Sequence, residues 1–221
     1  MVLNDLRNLN PDIKIYTVDD PEFKKFGTLF PKGRFDNICR LIDENSEIPL
    51  EGNVYVADDP KLYIQEEYNY ICGTLYGEVP IQIGYCNGVI HALNGFEYHQ
   101  CNELTLPVTD CVLMLAQQSD IENNSIDASK ATCFYLEAGR PVSLFPTSLH
   151  YSPAAVTNKG YKVGIILTKG TNSPLEYSGC KDPTLRMKNK WLIVHPDAPA
   201  AQKGAYIGVT GKNIVLNIID T

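Results

Sequence analysis

Four side chains in two separate segments have the residue types and spacing of a divalent-metal site. Glu97, His99 and Glu103 share the same parity within one short segment. In an extended strand, side chains at every second position lie on the same face, so these three can point into one cavity. A second, antiparallel strand that contains His150 would place another imidazole opposite them.

The proposed ligands also indicate the kind of metal. Two imidazoles and two carboxylates suit a divalent ion of intermediate hardness, and they are a poor match to an oxygen-only calcium cage. We therefore predict a divalent transition metal (Zn, Mn, Fe or Ni) as the cofactor. The residue types do not choose among these metals.

The two glutamates are also candidate catalytic groups. A carboxylate beside a bound cation can move a proton, with its pKa set by the ion and by burial. Glu97 has two interpretations, since it can bind the metal or act as a nearby general base; Glu103 is the second candidate. Lys190 is the third, because a ligand that carries a carboxylate or several hydroxyl groups needs a positive group near the metal. Lys162 and Arg140 are further candidates for substrate binding, although such residues on strands usually face solvent.

Several other residues near the motifs are interpreted as structural. We expect His91 and His195 to be hydrogen bonded within the fold, and Trp191 to pack in the core rather than stack on a sugar. Tyr151 is next to His150 but has opposite parity, so it should face away from the site. Cys101 has the parity of the proposed ligands and is expected to line the cavity.

The elements that must position these residues change in character along the chain. Residues 19–26 predict a short helix with an N-cap and an early proline, and an apolar stripe over residues 35–42 predicts an amphipathic helix. Strands are predicted in this first part at residues 13–18, 53–57 and 70–76. We expect residues 1–75 to form a mixed α/β extension that packs on the rest of the chain as one structural unit.

Residues 76–221 have the pattern of a mainly β domain. Short apolar runs alternate with glycine and proline turns, which is typical of a sandwich or barrel, and a jelly-roll barrel is the natural candidate. The predicted strands are residues 81–86, 93–103, 110–116, 132–136, 142–145, 149–152, 161–168, 190–195, 205–209 and 213–219. A long polar loop over residues 171–188 is expected to cover the cavity mouth.

Composition narrows the classes of partner. The chain has 221 residues, 44% hydrophobic and 20% charged, with a net charge of −7. This charge opposes the positive field that non-specific nucleic-acid binding requires, so no DNA or RNA partner is expected. The absence of a signal sequence or long apolar run predicts a cytoplasmic protein without a membrane partner. The seven cysteines, including Cys180, are scattered and never form Cys-x-x-Cys, which disfavours a disulfide framework.

The segments around the proposed ligands resemble the two motifs of the cupin superfamily. These small β-barrels hold a metal with a His-x-His-x3/4-Glu cluster and one histidine from a second motif. By this resemblance Glu97 stands in the place of the first histidine, His99 matches the second and Glu103 matches the glutamate. His150 matches the last histidine, and Gly139 precedes it by the expected eleven positions.

A closer similarity is to a bacterial family known as domain of unknown function 4867. It rests on residues 93–99, 109–110, 149–153, 169–172 and 189–193, and it covers about two thirds of the chain. The resemblance implies a cupin-like metal site but names no reaction. By analogy with cupin-like barrels, which often pair their sheets, a homodimer is expected.

The leading functional hypothesis is a metal-dependent enzyme of carbohydrate metabolism. Its ligand would be a small polar metabolite such as a sugar or sugar acid, and its chemistry isomerisation, epimerisation or a lyase reaction. One alternative is a metal-dependent dioxygenase, since two histidines with carboxylates also suit oxygen activation. Another is a non-catalytic metabolite-binding protein, and a third is a barrel that binds no metal and serves assembly.

Overall fold

The structure is a computed structural model that describes residues 2–177, 179 and 181–221. Most of its regular elements are strands. The prediction of a mainly β chain is confirmed, and Cys180 lies outside the described residues. The strands, in chain order, are β1 (Ile15–Thr17), β2 (Gly27–Leu29), β3 (Asn53–Val56), β4 (Ile81–Gly88), β5 (Gly95–Tyr98), β6 (Glu103–Pro107), β7 (Cys111–Gln117), β8 (Ile126–Asp127), β9 (Thr132–Leu136), β10 (Val142–Leu144), β11 (Ser148–Leu149), β12 (Ala154–Ala155), β13 (Tyr161–Thr168), β14 (Leu185–Met187), β15 (Lys190–Val194), β16 (Tyr206–Ile207) and β17 (Val209–Thr210).

The helices are short. They are α1 (Val2–Leu9), α2 (Asp36–Asn45), α3 (Gln65–Tyr70), which continues into a π-helical turn over Ile71–Leu75, and α4 (Pro199–Gln202), with 3-10 turns at Pro21–Lys25, Pro60–Leu62, Gln118–Asp120 and Ala128–Lys130. No helix in the described part of the chain combines the length and apolar character that crossing a bilayer requires.

The two larger sheets enclose one of the hydrophobic cores. The first has six antiparallel strands in the order β2-β10-β6-β13-β4-β3, and the second has the order β1-β9-β7-β11 with β12 also on β7. A smaller sheet is built on β15, which pairs with β5, β14 and β16, and β8 pairs with β17. An isolated antiparallel bridge between Glu97 and His150 connects β5 to the end of β11.

Successive side chains of each strand point to opposite faces of its sheet, and this alternation separates the hydrophobic cores on the two faces. Residues such as Val163 and Ile165 of β13 face Leu113 and Phe134 of the second sheet, forming the core between the sheets. Their neighbour Ile166 points outward and packs with α2. This period of two is what half-buried strands require.

The first 75 residues supply strands to both large sheets. β1 pairs in parallel with β9, β2 pairs with β10 and β3 pairs with β4. The predicted helices at residues 19–26 and 35–42 are present as the 3-10 turn at Pro21–Lys25 and as α2. The division of the chain into an extension and a barrel stays a prediction, as does the closed jelly roll.

Several strand predictions are wrong in whole or in part: residues 149–152 contribute only Leu149 to β11, and residues 205–209 are divided between β16 and β17. Residues 70–76 end α3 and form the π-helical turn, because a short apolar run does not distinguish a strand from a packed helix. Residues 93–103 do not form one strand, since β5 ends at Tyr98 and β6 begins at Glu103. Residues 213–219 form no named strand and pair only through isolated bridges, such as that of Val215 with Ala92.

Gly84 of β4 allows a close approach of the backbone at the end of β3. This approach positions β3, which forms one wall of the site. A Cβ atom at Gly84 would lie 1.9 Å from the carbonyl oxygen of Val56. We expect Gly84→Ala to lower the free energy of unfolding by about 1–3 kcal/mol through overpacking. Urea denaturation followed by circular dichroism measures this change.

Gly73→Ala is the matched control, because a Cβ atom there would meet nothing within 4 Å. An alanine in this helical turn should leave stability unchanged or raise it by up to about 1 kcal/mol. Equal stabilities of the two variants would contradict the close approach at Gly84.

Candidate metal centre

The two motif segments are joined directly through their backbones. The Glu97 N–H donates to the His150 carbonyl oxygen at 2.5 Å, and the His150 N–H donates to the Glu97 carbonyl oxygen at 3.0 Å. Glu97 lies on β5 and His99 follows that strand, while His150 follows β11. The predicted antiparallel approach of the two segments is therefore present.

Glu103 reaches the site by another route than the one predicted. The chain bends over residues 100–102, so Glu103 begins β6 in the six-stranded sheet rather than continuing the strand of Glu97. The shared-strand parity argument is wrong for this residue. The fold nevertheless brings its carboxylate to the two imidazoles from the facing sheet.

The four predicted metal ligands meet in one buried cluster. Glu97, His99 and His150 each offer a ligand atom, and these atoms lie within 4.8 Å of one another. Glu103 is adjacent to this group of three, because its Oε2 lies 3.6 Å from His99 Nε2 and 3.3 Å from His150 Nε2. All four residues are buried, and the exposed fraction of His99 is only 1%.

Backbone carbonyls orient both imidazoles. His99 Nδ1 donates to the Asn189 carbonyl oxygen at 2.6 Å, and His150 Nδ1 donates to the Ser148 carbonyl oxygen at 3.0 Å. A carbonyl oxygen can only accept, so the proton of each neutral ring lies on Nδ1 and the lone pair on Nε2. Both Nε2 atoms are buried and make no hydrogen bond within the described residues. This arrangement is typical of metal-binding histidines.

Asn189 fixes the backbone that orients His99. Its side-chain oxygen accepts from the Gln100 N–H at 2.7 Å, and its amide nitrogen donates to Thr171 Oγ1 at 2.9 Å. Its φ of 53° lies in the left-handed region, which asparagine tolerates better than most residues. Nothing in the ligand pattern of the sequence singled out this residue.

The pKa of each ionisable group in the cluster depends on the charges of its neighbours. Burial opposes charge on His150, but Glu103 and Glu97 outweigh it and raise the pKa of His150 to about 9. Burial likewise opposes ionisation of Glu103, yet His150 and His99 hold the pKa of that carboxyl below its usual range. Burial, aided by His150, lowers the pKa of His99. Without a cation the cluster therefore favours a protonated His150 beside an ionised Glu103.

Lys190 lies where its role as a catalytic candidate requires. Its ammonium group forms an ion pair with Glu97 Oε2, and the other oxygen of that carboxylate lies 3.8 Å from His99 Nε2. Glu97 therefore stands between the imidazoles and the lysine. Lys190 Nζ also lies 5.8 Å from the centre of the Tyr151 ring.

A cavity of about 200 Å³ adjoins the cluster. It is lined by Asn53, Tyr55, Cys86, Glu97, Glu103, Tyr151, Ser152, Pro153, Ile165, Asn172 and Lys190. The prediction that Tyr151 faces away is wrong, because the chain leaves the strand pattern directly after β11 and parity no longer applies. Asn172 comes from the loop that was predicted to cover the cavity mouth.

The remaining candidates lie elsewhere. Lys162 Nζ donates to the Asp43 carbonyl oxygen, and Arg140 donates to the Phe30 carbonyl oxygen, so neither lines the cavity. His91 and His195 are hydrogen bonded to backbone carbonyl oxygens, as structural histidines should be.

Two residues beside the cluster differ from their predicted roles. Cys101 is not among the residues that line this cavity; its sulfur accepts from Asn189 and Thr168. Trp191 is only partly buried and stacks on Tyr98 with ring centres 5.2 Å apart, so it packs on the face of the small sheet rather than in the core.

The donor set fits a transition metal. The Nε2 atoms of both histidines and two carboxylates meet in a dry core, where a cation would satisfy all four groups in place of the proton that His150 holds beside Glu103. Nitrogen and oxygen ligands together suit Zn, Mn, Fe or Ni. The chain is thus a mainly β protein with a buried Glu/His cluster that has the chemistry of a metal centre.

Comparison with known proteins identifies its family. Residues 15–214 match the family described as domain of unknown function 4867 (DUF4867). The match covers far more than half of the chain, so the chain belongs to this family and the predicted membership is confirmed. No curated protein is significantly similar to the chain.

Solved structures that overlap part of the chain include those of oxalate decarboxylase. The Bacillus subtilis enzyme at pH 4.6 is 11% identical, with 44% of this chain and 23% of that chain covered and a TM-score of 0.31. A structure concerned with proton-coupled electron transfer in oxalate decarboxylase is 10% identical, with 57% and 28% covered and a TM-score of 0.34. A study of the Mn(II) centres of the Bacillus subtilis enzyme gives a match of 11% identity, with 44% and 24% covered and a TM-score of 0.31. This chain spans less than a third of those proteins, and overlap this small carries no conclusion about its activity.

Proposed function

We propose that the protein is a cupin-like metalloprotein that binds a divalent transition metal and acts on a small polar metabolite in the adjoining cavity. The observation that carries the proposal is the convergence of the buried Nε2 atoms of His99 and His150 on two carboxylates, with no hydrogen bond to His99 Nε2 within the described residues. The metal ligands would be Glu97, His99, Glu103 and His150. When bound, the metal would supply Lewis-acid polarisation of a ligand oxygen.

The protein side chains would handle the proton. One carboxylate oxygen of Glu97 faces the imidazoles, and the other oxygen faces Lys190. Glu97 therefore lies at the boundary between the metal ligands and the cavity. A proton taken from a bound metabolite at this carboxylate could be held or returned to a neighbouring atom. Glu103 is the second proton-handling candidate, and Lys190 would attract a ligand of negative charge. These roles favour isomerisation, epimerisation or lyase chemistry on a sugar-like or hydroxy-acid metabolite.

Elemental analysis tests the metal. Protein purified without chelators should contain a transition metal in a 1:1 ratio to the chain, and the His99→Ala, His150→Ala double variant should lose it because both nitrogen ligands are removed. Circular dichroism establishes that the variant is folded. The wild-type chain should also lose its metal to a strong chelator and recover it on addition of Mn, Fe, Zn or Ni salts.

His91→Gln is the matched control, since this histidine bonds a backbone carbonyl oxygen outside the cluster. It should retain the wild-type metal content. A wild-type protein that remains metal-free after reconstitution, or a folded double variant that keeps its metal, would contradict the proposal.

Solvent-deuterium incorporation tests the chemistry. In D₂O the metal-loaded protein should exchange a carbon-bound proton next to the carbonyl group of one member of a panel of aldoses, ketoses, uronic acids and short hydroxy acids. Glu97→Gln should slow this exchange by about 10²–10⁴-fold, the usual contribution of a positioned acid or base. Mass spectrometry measures the exchange.

Glu51→Gln, a change at an exposed glutamate outside the cavity, should leave the exchange rate unaltered. Absence of exchange across the panel would contradict proton transfer on these metabolites. Oxygen consumption in the same assays would then identify dioxygenase chemistry, and its absence would favour a protein that only binds its ligand.

A further inference from the structure

Two neutral residues form a hydrogen-bonding pair on the wall of the cavity. Asn172 Nδ2 donates to the Tyr55 hydroxyl oxygen at 2.9 Å. Asn172 Oδ1 is buried and has no hydrogen-bond partner in the part of the chain that the structure describes. Both residues line the same cavity as Glu97, Glu103 and Lys190.

The pair leaves two hydrogen-bonding positions for a ligand. Because the Tyr55 oxygen accepts from Asn172, its own O–H hydrogen is available to donate, while Asn172 Oδ1 is available to accept. With the asparagine amide reversed, the tyrosine would donate to Oδ1, leaving the amide nitrogen as a free donor and the tyrosine oxygen as a free acceptor. Either arrangement offers one donor and one acceptor side by side. An alcohol is the simplest group that satisfies both, because its oxygen accepts and its hydrogen is donated.

The backbone holds this pair in place. Tyr55 belongs to β3, where it pairs with Cys86 of β4. Asn172 has a φ of 67°, and its N–H donates to the Lys188 carbonyl oxygen at 3.0 Å. Burial, with Glu103 and Glu97 nearby, raises the pKa of Tyr55, so the hydroxyl stays protonated at neutral pH.

The charge of the cavity selects the rest of the ligand. A divalent ion and Lys190 would supply three positive charges, and Glu97 and Glu103 would supply two negative charges. The metal-loaded cavity would therefore carry one excess positive charge, which favours a monoanion. Its volume of about 200 Å³ suits a small ligand.

We infer that Tyr55 and Asn172 form a hydroxyl-binding subsite, and that the cavity takes a short-chain hydroxy carboxylate whose carboxylate lies toward Lys190 and the metal ligands. This inference rests on the proposed function, because the charge balance needs the metal. It goes further by naming the ligand class and the two residues that recognise the hydroxyl group.

Matched pairs of carboxylates test the subsite. Glycolate against acetate, and lactate against propionate, differ by one hydroxyl group, and calorimetry on the metal-loaded protein gives each dissociation constant. A metal alone can favour a hydroxy acid by chelation, so the decisive quantity is the change caused by Tyr55→Phe and by Asn172→Gly. Each variant should weaken binding of the hydroxy acids by about 10-fold, the loss expected for one hydrogen bond, and leave acetate and propionate within about 2-fold.

Tyr85→Phe is the matched control, because Tyr85 lies on the same sheet but packs on the outer face with the core around α2. It should change neither class of ligand. A preference for hydroxy acids that survives unaltered in Tyr55→Phe and Asn172→Gly would overturn the subsite, and so would a wild-type protein that binds no hydroxy acid while carrying its metal. Elemental analysis of the same samples separates these results from failure of the proposed function, in which the metal itself is absent.

Discussion

The reciprocal backbone hydrogen bonds between Glu97 and His150 are the interaction on which the site depends. They join β5 of the small sheet to the end of β11, which pairs with β7. In this way they fix two distant segments in one register. Because side chains alternate along an extended chain, a slip of one residue here would turn both side chains away from each other. The bridge therefore determines where the imidazole of His150 meets the carboxylate of Glu97.

A second constraint is the cost of burying this cluster. Two carboxylates and two imidazoles in a core are unfavourable unless they are paired, hydrogen bonded or bound to a cation. Lys190 compensates Glu97, and His150 compensates Glu103, but His99 Nε2 makes no hydrogen bond within the described residues. Such a cluster adds little to stability by itself. A bound ion would offset the free-energy cost of removing these groups from water.

Local sequence patterns predicted which residues could bind the metal, but not the whole geometry of the site. The types and spacing of His99 and His150 were sufficient to place them together, and the period-two pattern was sufficient for most strands. Glu103 was assigned to the right cluster by the wrong argument, because the bend after His99 sends it to another sheet. Tyr55 and Asn172 carried no signal, since their meeting depends on pairing between β3 and β4 and on a loop far along the chain. Parity also ceases to apply outside regular strands, which explains the error at Tyr151.

The most direct test of the account is anomalous X-ray diffraction from crystals of the metal-loaded protein, recorded on both sides of the absorption edge of the metal found by elemental analysis. The account predicts one strong difference peak within bonding distance of the Nε2 atoms of both His99 and His150 and of at least one carboxylate oxygen from Glu97 or Glu103. A peak bound only by other residues, or an empty cluster in a protein that carries a stoichiometric metal elsewhere, would contradict it.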